Sequence, residues 1–459
     1  MDAPARGGRE VGPVVKRSVL DADLAALEEE VRGRDRARVE ALRHRHSLGQ
    51  RLLLTLLLLG PGILVMIADN DAGGVITYAE TGSSFGLGFY LPLLVLLGPV
   101  AYIVQDMTVR LGAVTGRGHA EMIWGRYGAA WGAFSLFDLV AANLLTLITE
   151  FVGITVGMAV FGVPAPASAF GGLVLVTAVL LGLRYFTWER VSLCIAALNL
   201  VFVPLVLMAH PNWQAVADAF RTWHVAGGFT SMFLVILLAN LGTTIAPWML
   251  FFQQSSVVDK GLTPRDIRHG QIDTAVGSAV MVAVALAIVV LTATLAHRGP
   301  NAAALDIRAL MNTLGARLGR VGEDLFALGL VEAGVIAAIA ISASTAWACG
   351  EALGWPKSIN LPPRVAWRFY LPGLASLAVA ASIVLIPNAP LGFLNLTVQV
   401  IATIFMPAAL LFLLLLLNDR EVMGDYVNSR LQNVLAIGIV AFLVAMTALY
   451  GLTVAFPGI

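Results

Sequence analysis

Two carboxylates flanking an amide, Asp69-Asn70-Asp71, stand inside an apolar stretch that rises from Leu52 and resumes at Val75. Hydrocarbon penalises such side chains, so inside a membrane helix they face a polar path, a partner or an ion. Gly73 and Gly74 follow directly. Glycine weakens the helix there and frees backbone carbonyls. A broken membrane helix bearing acid groups is a way to build a midplane cation site. The plainer alternatives are a loop between two short helices, or a kink neutralised by internal pairing.

A second interruption occurs at Asn240-Leu241-Gly242-Thr243-Thr244-Ile245-Ala246-Pro247-Trp248. Pro247 removes a backbone donor and clashes with the preceding turn, while Gly242 and two threonines loosen the same turn. Alone, this is a kink in a packed helix. Paired with the first break at the matching place of a second half, it points to a transport site.

The elements that must position these residues are membrane helices. Of 459 residues, 58% are hydrophobic and 13% charged, against about 25% charged in soluble domains. A span needs about 20 apolar residues. Apolar runs cover 52–84 (broken), 87–112, 129–160, 166–186, 190–209, 229–256 (broken), 272–296, 323–349, 368–387, 391–417 and 432–455. The expectation is an all-α polytopic membrane protein of about eleven helices. A transporter domain over 51–459 divides into repeat one (about 51–210), repeat two (about 228–418) and an extra helix (about 430–456). The net charge of zero hints at neither nucleic acid nor an acidic partner. No obligate protein partner is inferred, and the lipid bilayer is the expected surroundings. Cys194 and Cys349 read as buried small residues.

Residues 1–50 mix arginines with acidic residues, and Leu20, Leu24, Leu27 and Val31 recur at helical spacing. An amphipathic helix over 18–46, within a cytoplasmic tail, is the expectation. His44 and His46 read as solvated. Arg51, Arg117, Arg126, Arg184, Arg190, Lys260, Arg265, Arg268, Lys357, Arg364, Arg420 and Arg430 fall in segments on one side, which the positive-inside rule makes cytoplasmic. The loop 297–322 carries Arg298, Arg308, Arg317 and Arg320 on the other side and departs from the rule. The C-terminus is then extracytoplasmic, and the location is the plasma or inner membrane.

Gly82-Ser83-Ser84-Phe85-Gly86 matches G-x-S-x-G, but that motif needs a strand-turn-helix context and here it ends a membrane helix. No enzyme is expected. A carrier of amino acids or other organic substrates shares this architecture, but would present an apolar pocket rather than a carboxylate at the break. A channel differs by flux that does not saturate.

Gly60-Pro61-Gly62-Ile63-Leu64-Val65, the first break and Phe85-Gly86 together resemble the first helix of the Nramp metal-ion transporters. Arg110-Leu111-Gly112-Ala113-Val114-Thr115-Gly116 with Ala120-Glu121 is similar to that family's segment after helix 2. Ala246-Pro247-Trp248 stands where the family has Met-Pro-His. Gln399, Pro407 and Met423-Gly424 resemble its tenth helix. Asn428-Ser429-Arg430-Leu431-Gln432-Asn433-Val434-Leu435-Ala436 resembles the start of its eleventh. The resemblance covers about residues 50–455 in order. It implies a leucine-transporter-like fold, an inverted repeat of five plus five helices with one extra.

It also implies a site. The family's Asp-Pro-Gly-Asn is matched by Asp71, Ala72, Gly73 and Gly74. The aspartate is kept, the asparagine is lost, and Asn70 or Asp69 would have to stand in for it. The helix 6 methionine ligand becomes Ala246, and the alanine contributing a carbonyl becomes Thr243. Gln399 keeps the helix 10 glutamine. The two helix 6 histidines become Trp248 and Gln253. A helix 3 carboxylate becomes Leu147, whereas Glu150 is kept.

Losing a thioether disfavours softer ions. Asp71, Gln399, Thr243 and carbonyls leave oxygen donors, which suit Mg²⁺, Mn²⁺ and Ca²⁺. Small residues at Gly74 and Ala246 imply a wider cavity, fitting a partly hydrated Mg²⁺. This pattern resembles the Nramp-related magnesium transporters. No cofactor is expected, since Mg²⁺ or Mn²⁺ is cargo. With Trp248, Gln253 and Leu147 in place of titratable groups, uptake without protons is expected. A divalent ion gains about 4.6 kcal/mol per 100 mV of inside-negative potential, at about 2.3 per charge. A proton-coupled importer of Mn²⁺ or Fe²⁺ is the alternative.

Overall fold

The computed structural model describes residues 58–300, 305–387 and 391–456, with a few positions between 26 and 33. The remainder of the tail expected over 1–50 lies outside the described residues. Among the described residues every regular element is helical.

The first span is split into α1 (Pro61–Ala68) and α2 (Ala72–Phe85). Pro61 opens α1 where its missing donor is harmless. Asp71 is the N-cap of α2 and accepts from the Gly74 amide, so the sequence ends one helix and starts the next within three residues. After α3 (Tyr90–Thr115) come a short α4 (His119–Tyr127) and α5 (Ala129–Val160). α6 (Ala165–Gly182) precedes a fifth span built from α7 (Tyr185–Ala196), a tighter 3₁₀ turn (Ala197–Val201) and α8 (Phe202–Met208). α9 (Trp213–Thr222) lies in the following connection.

The sixth span is also split, into α10 (Ser231–Thr244) and α11 (Pro247–Lys260), with Ile245 and Ala246 extended between them. Then follow α12 (Ile267–Leu295), α13 (Ile307–Leu353), α14 (Trp367–Ile383), α15 (Leu391–Asn418), the single turn α16 (Arg420–Met423) and α17 (Arg430–Ala455).

Nine helical spans among the described residues are long and apolar enough to cross a membrane, counting α7 to α8 and α10 to α11 as one span each. The split pair α1/α2 and the 17-residue α14 bring the spans to the expected eleven. α12 packs on α1, α2 and α3, and α13 runs along α5, and the residues of both breaks are buried.

Three helical pieces exceed the expectation. The segment expected as a loop over 297–322 contains the first turns of α13, which kinks at Gly319, where φ is +75°. α4 and α9 lie in expected connections. Their composition is too polar or too short to register as a span. Cys349 is buried as expected, but Cys194 is exposed on the outer face of α7. An apolar membrane surface does not distinguish lipid-facing from core-facing positions by residue type.

Candidate cation site at the two helix breaks

The first break leaves backbone donors and acceptors without helical partners, and side chains from neighbouring spans converge on them. The Ala72 amide donates to Glu150 Oε2 at 2.9 Å, and Glu150 Oε1 accepts from Thr149 Oγ1 at 3.2 Å. A carboxylate at a helix N-terminus is favoured by the dipole. The Gly73 carbonyl accepts from Thr77 Oγ1 at 2.8 Å and from Asn395 Nδ2 at 3.1 Å. The Asn70 carbonyl accepts from Asn199 Nδ2 at 3.3 Å, and Asn70 Nδ2 donates to the Met281 carbonyl at 3.2 Å.

The two glycines allow the close approach. A Cβ on Gly73 would collide with Gln399 Nε2 and lie 2.9 Å from Thr149 Oγ1. A Cβ on Gly74 would lie 2.6 Å from Thr243 Oγ1 and 3.1 Å from Asp71 Oδ1. The structure therefore brings Asp71, Gly74 and Thr243 together, with Gln399 on the Gly73 side. Asp69 and Asn70 flank them along the chain.

All of these side chains are buried: Asp69 is 1% exposed, Asp71 3%, and Asn70 and Glu150 0%. Both oxygens of Asp69, Oδ1 of Asn70, Oγ1 of Thr243 and Nε2 of Gln399 have no hydrogen-bond partner. Each such group costs about 1–3 kcal/mol when buried unpaired. Their concentration at one place calls for a ligand. Among the described residues no group of three or more His, Cys, Asp and Glu side chains is placed to hold a metal. A cation here would take much of its coordination from hydroxyl, amide, carbonyl and water oxygens.

At the second break the Ala246 amide donates to the Met249 sulfur at 3.4 Å. Ala246 thus has a thioether beside it, three residues on. Trp248 is buried, with its ring edge-on to Phe252 and its carbonyl accepting from Ser344 Oγ at 3.1 Å. Gln253 lies further along α11, where it donates to Thr274 at 2.8 Å and accepts from Thr108 at 3.2 Å. It braces α3, α11 and α12 rather than bonding to either break.

Sequence reasoning missed Asn395 and Asn199. Asn395 stands one helical turn before Gln399, so the i, i+4 spacing could have revealed it. Asn199 is an amide in an otherwise apolar run, which was the available signal.

Polar contacts tie both ends of the first span to neighbouring elements. On one side Glu80 of α2 accepts from the Leu305 amide, Ser84 Oγ and Arg298, the last at 3.2 Å. On the other, Asp273 accepts from the amides of Gly60, Gly62 and Ile63 at 2.9, 2.6 and 3.2 Å. Lys260 there joins the Leu59 carbonyl to Glu189, both at 2.8 Å.

Two split spans at the centre of eleven, with unpaired polar atoms between them, define a polytopic membrane protein of the leucine-transporter-like class. The family model for natural resistance-associated macrophage protein-like (Nramp) proteins matches residues 62–453, and the chain belongs to this family. It is 28% identical over 403 residues to "Divalent metal cation transporter MntH 1" of Pseudomonas aeruginosa, covering 83% of this chain and 88% of that one. It is 28% identical over 403 residues to "Divalent metal cation transporter MntH" of Ralstonia nicotianae, covering 82% and 86%. A crystal structure of an Eremococcus coleocola manganese transporter variant superposes with a TM-score of 0.72 at 20% identity, covering 88% and 87%.

Proposed function

We propose that this chain is a secondary-type transporter importing divalent cations, Mg²⁺ and Mn²⁺ foremost, with the ion partly hydrated and no protons coupled. The observation that carries this reading is the donor set at the breaks. Asp71, Asp69 and Thr243 offer buried oxygens, while Gly74 and Ala246 offer no side-chain ligand. Hard oxygen donors suit Mg²⁺ and Mn²⁺, and Mg²⁺ keeps several waters when bound by one or two carboxylates. The relatives named for divalent metal transport support the cargo class. Gln399 and Asn70 complete the proposed ion path, and Glu150 holds the start of α2. The membrane is the plasma or inner membrane, with the N-terminus cytoplasmic.

The second reading is a proton-coupled transition-metal importer. Glu150, bonded to the residue next to Asp71, favours it, as does the Met249 thioether at the second break.

Proteoliposomes loaded with a pH dye and offered a panel of divalent ions separate the two. Saturable Mg²⁺ and Mn²⁺ entry without acidification supports the first. Transition-metal entry with acidification, and none of Mg²⁺, overturns it.

A further inference from the structure

Glu332 is a carboxylate on α13 with no part in the site so far described. It is 3% exposed and sits in the middle of a membrane span. Its Oε2 accepts from Asn199 Nδ2 at 3.1 Å, and its Oε1 has no partner. The same Asn199 nitrogen reaches the Asn70 carbonyl at 3.3 Å. Asn199 is fully buried, and its own Oδ1 is also unpartnered. The 3₁₀ turn in the fifth span presents this amide, since Asn199 is its central residue.

The buried or half-buried cations among the described residues are engaged elsewhere. Lys260 is paired with Glu189, Arg298 with Glu80, and Arg110 with Asn428 and the Tyr426 carbonyl. An ionised carboxylate at this depth requires a cation or a substantial compensating interaction. A glutamine would hold Asn199 in place without that cost, so holding Asn199 does not account for the acid.

We propose that Glu332 and the Asn70 carbonyl, with the Asn199 amide turned over so that Oδ1 takes the place its Nδ2 holds between them, form a second divalent-cation subsite on the α13 side of the first break, distinct from the Asp71–Thr243 side. Asp69 and Asp71 together match the charge of one divalent ion. Glu332 offers a single carboxylate and two neutral oxygens, the sort of set that binds Mg²⁺ through one acid group while water fills the rest of the shell. Asn70 precedes Asp71 directly in the chain, so an ion at either subsite acts on the same short stretch of backbone.

The inference rests on the divalent-cation reading above. Equilibrium Mn²⁺ binding to the full detergent-purified chain, counted from the free-ion paramagnetic resonance signal after dialysis, tests it. Wild type is expected to hold two ions per chain. Glu332→Gln keeps an oxygen that accepts from Asn199 and is expected to hold one, with metal-free melting unchanged. Asp71→Asn is expected to hold the other one. A Glu332→Gln protein that binds as many ions as wild type overturns the subsite. Loss of one ion in Glu332→Gln but none in Asp71→Asn supports the subsite and overturns the Asp71 assignment instead. No saturable Mn²⁺ binding by wild type overturns both.

Discussion

Gly74 and Thr243 face each other across the two helix breaks so closely that a Cβ on Gly74 would lie 2.6 Å from Thr243 Oγ1. The absence of a side chain at 74 is therefore a packing requirement. Gly74→Asn is expected to fail by itself. The added atoms meet Thr243 and Asp71, and overpacking costs about 1–3 kcal/mol. Gly74→Asn with Thr243→Ala and Ala246→Met is expected to fold, to weaken Mg²⁺ uptake and to strengthen Cd²⁺ competition. Melting and competition assays read both effects. An unchanged metal preference in a folded triple variant would remove these positions from the site.

Asp71→Ala is expected to abolish saturable metal uptake. It also removes an N-cap, at about 1 kcal/mol, so the protein should remain folded in detergent. Uptake at the wild-type level would discard the assignment and turn attention to Asp69, whose two oxygens are unpartnered.

Glu150 and the Ala72 amide provide a test of structure against charge. Glu150→Gln retains an oxygen that accepts from Ala72, so uptake is expected to persist. Glu150→Ala strands that amide, at about 1–3 kcal/mol, and both melting temperature and uptake are expected to fall. Failure of the glutamine variant in a folded protein would show that the proton or charge is used.

Much of this was legible in sequence because membrane helices write themselves in composition, and polar residues within them stand out. Asp71, Pro247 and Gly74 were readable for that reason. Asn199 and Glu332 were not singled out, because their meaning comes from contacts between residues 133 positions apart. The closeness of Gly74 to Thr243 is likewise a tertiary fact. Gln253 stood out by resemblance, yet its bonds to Thr108 and Thr274 give it a bracing place.

Metal entry is expected to leave the internal pH unchanged. Trp248, Gln253 and Leu147 do not titrate near neutrality. A valinomycin K⁺ potential, negative inside, should accelerate uptake while the dye stays flat. Acidification that scales with metal entry would defeat this, and Glu150 would be the first group to substitute.

The polar ties at the two ends of α1/α2 bear on how uptake responds to temperature. Glu80 is held by a guanidinium, a hydroxyl and a backbone amide, and Asp273 by three backbone amides at the start of α1. Charge-assisted bonds of this kind are among the stronger ones. A transport cycle that opens either end is expected to part several of them and so to carry a large activation enthalpy. Uptake should then fall steeply on cooling, with an Arrhenius slope well above that of a water-filled pore.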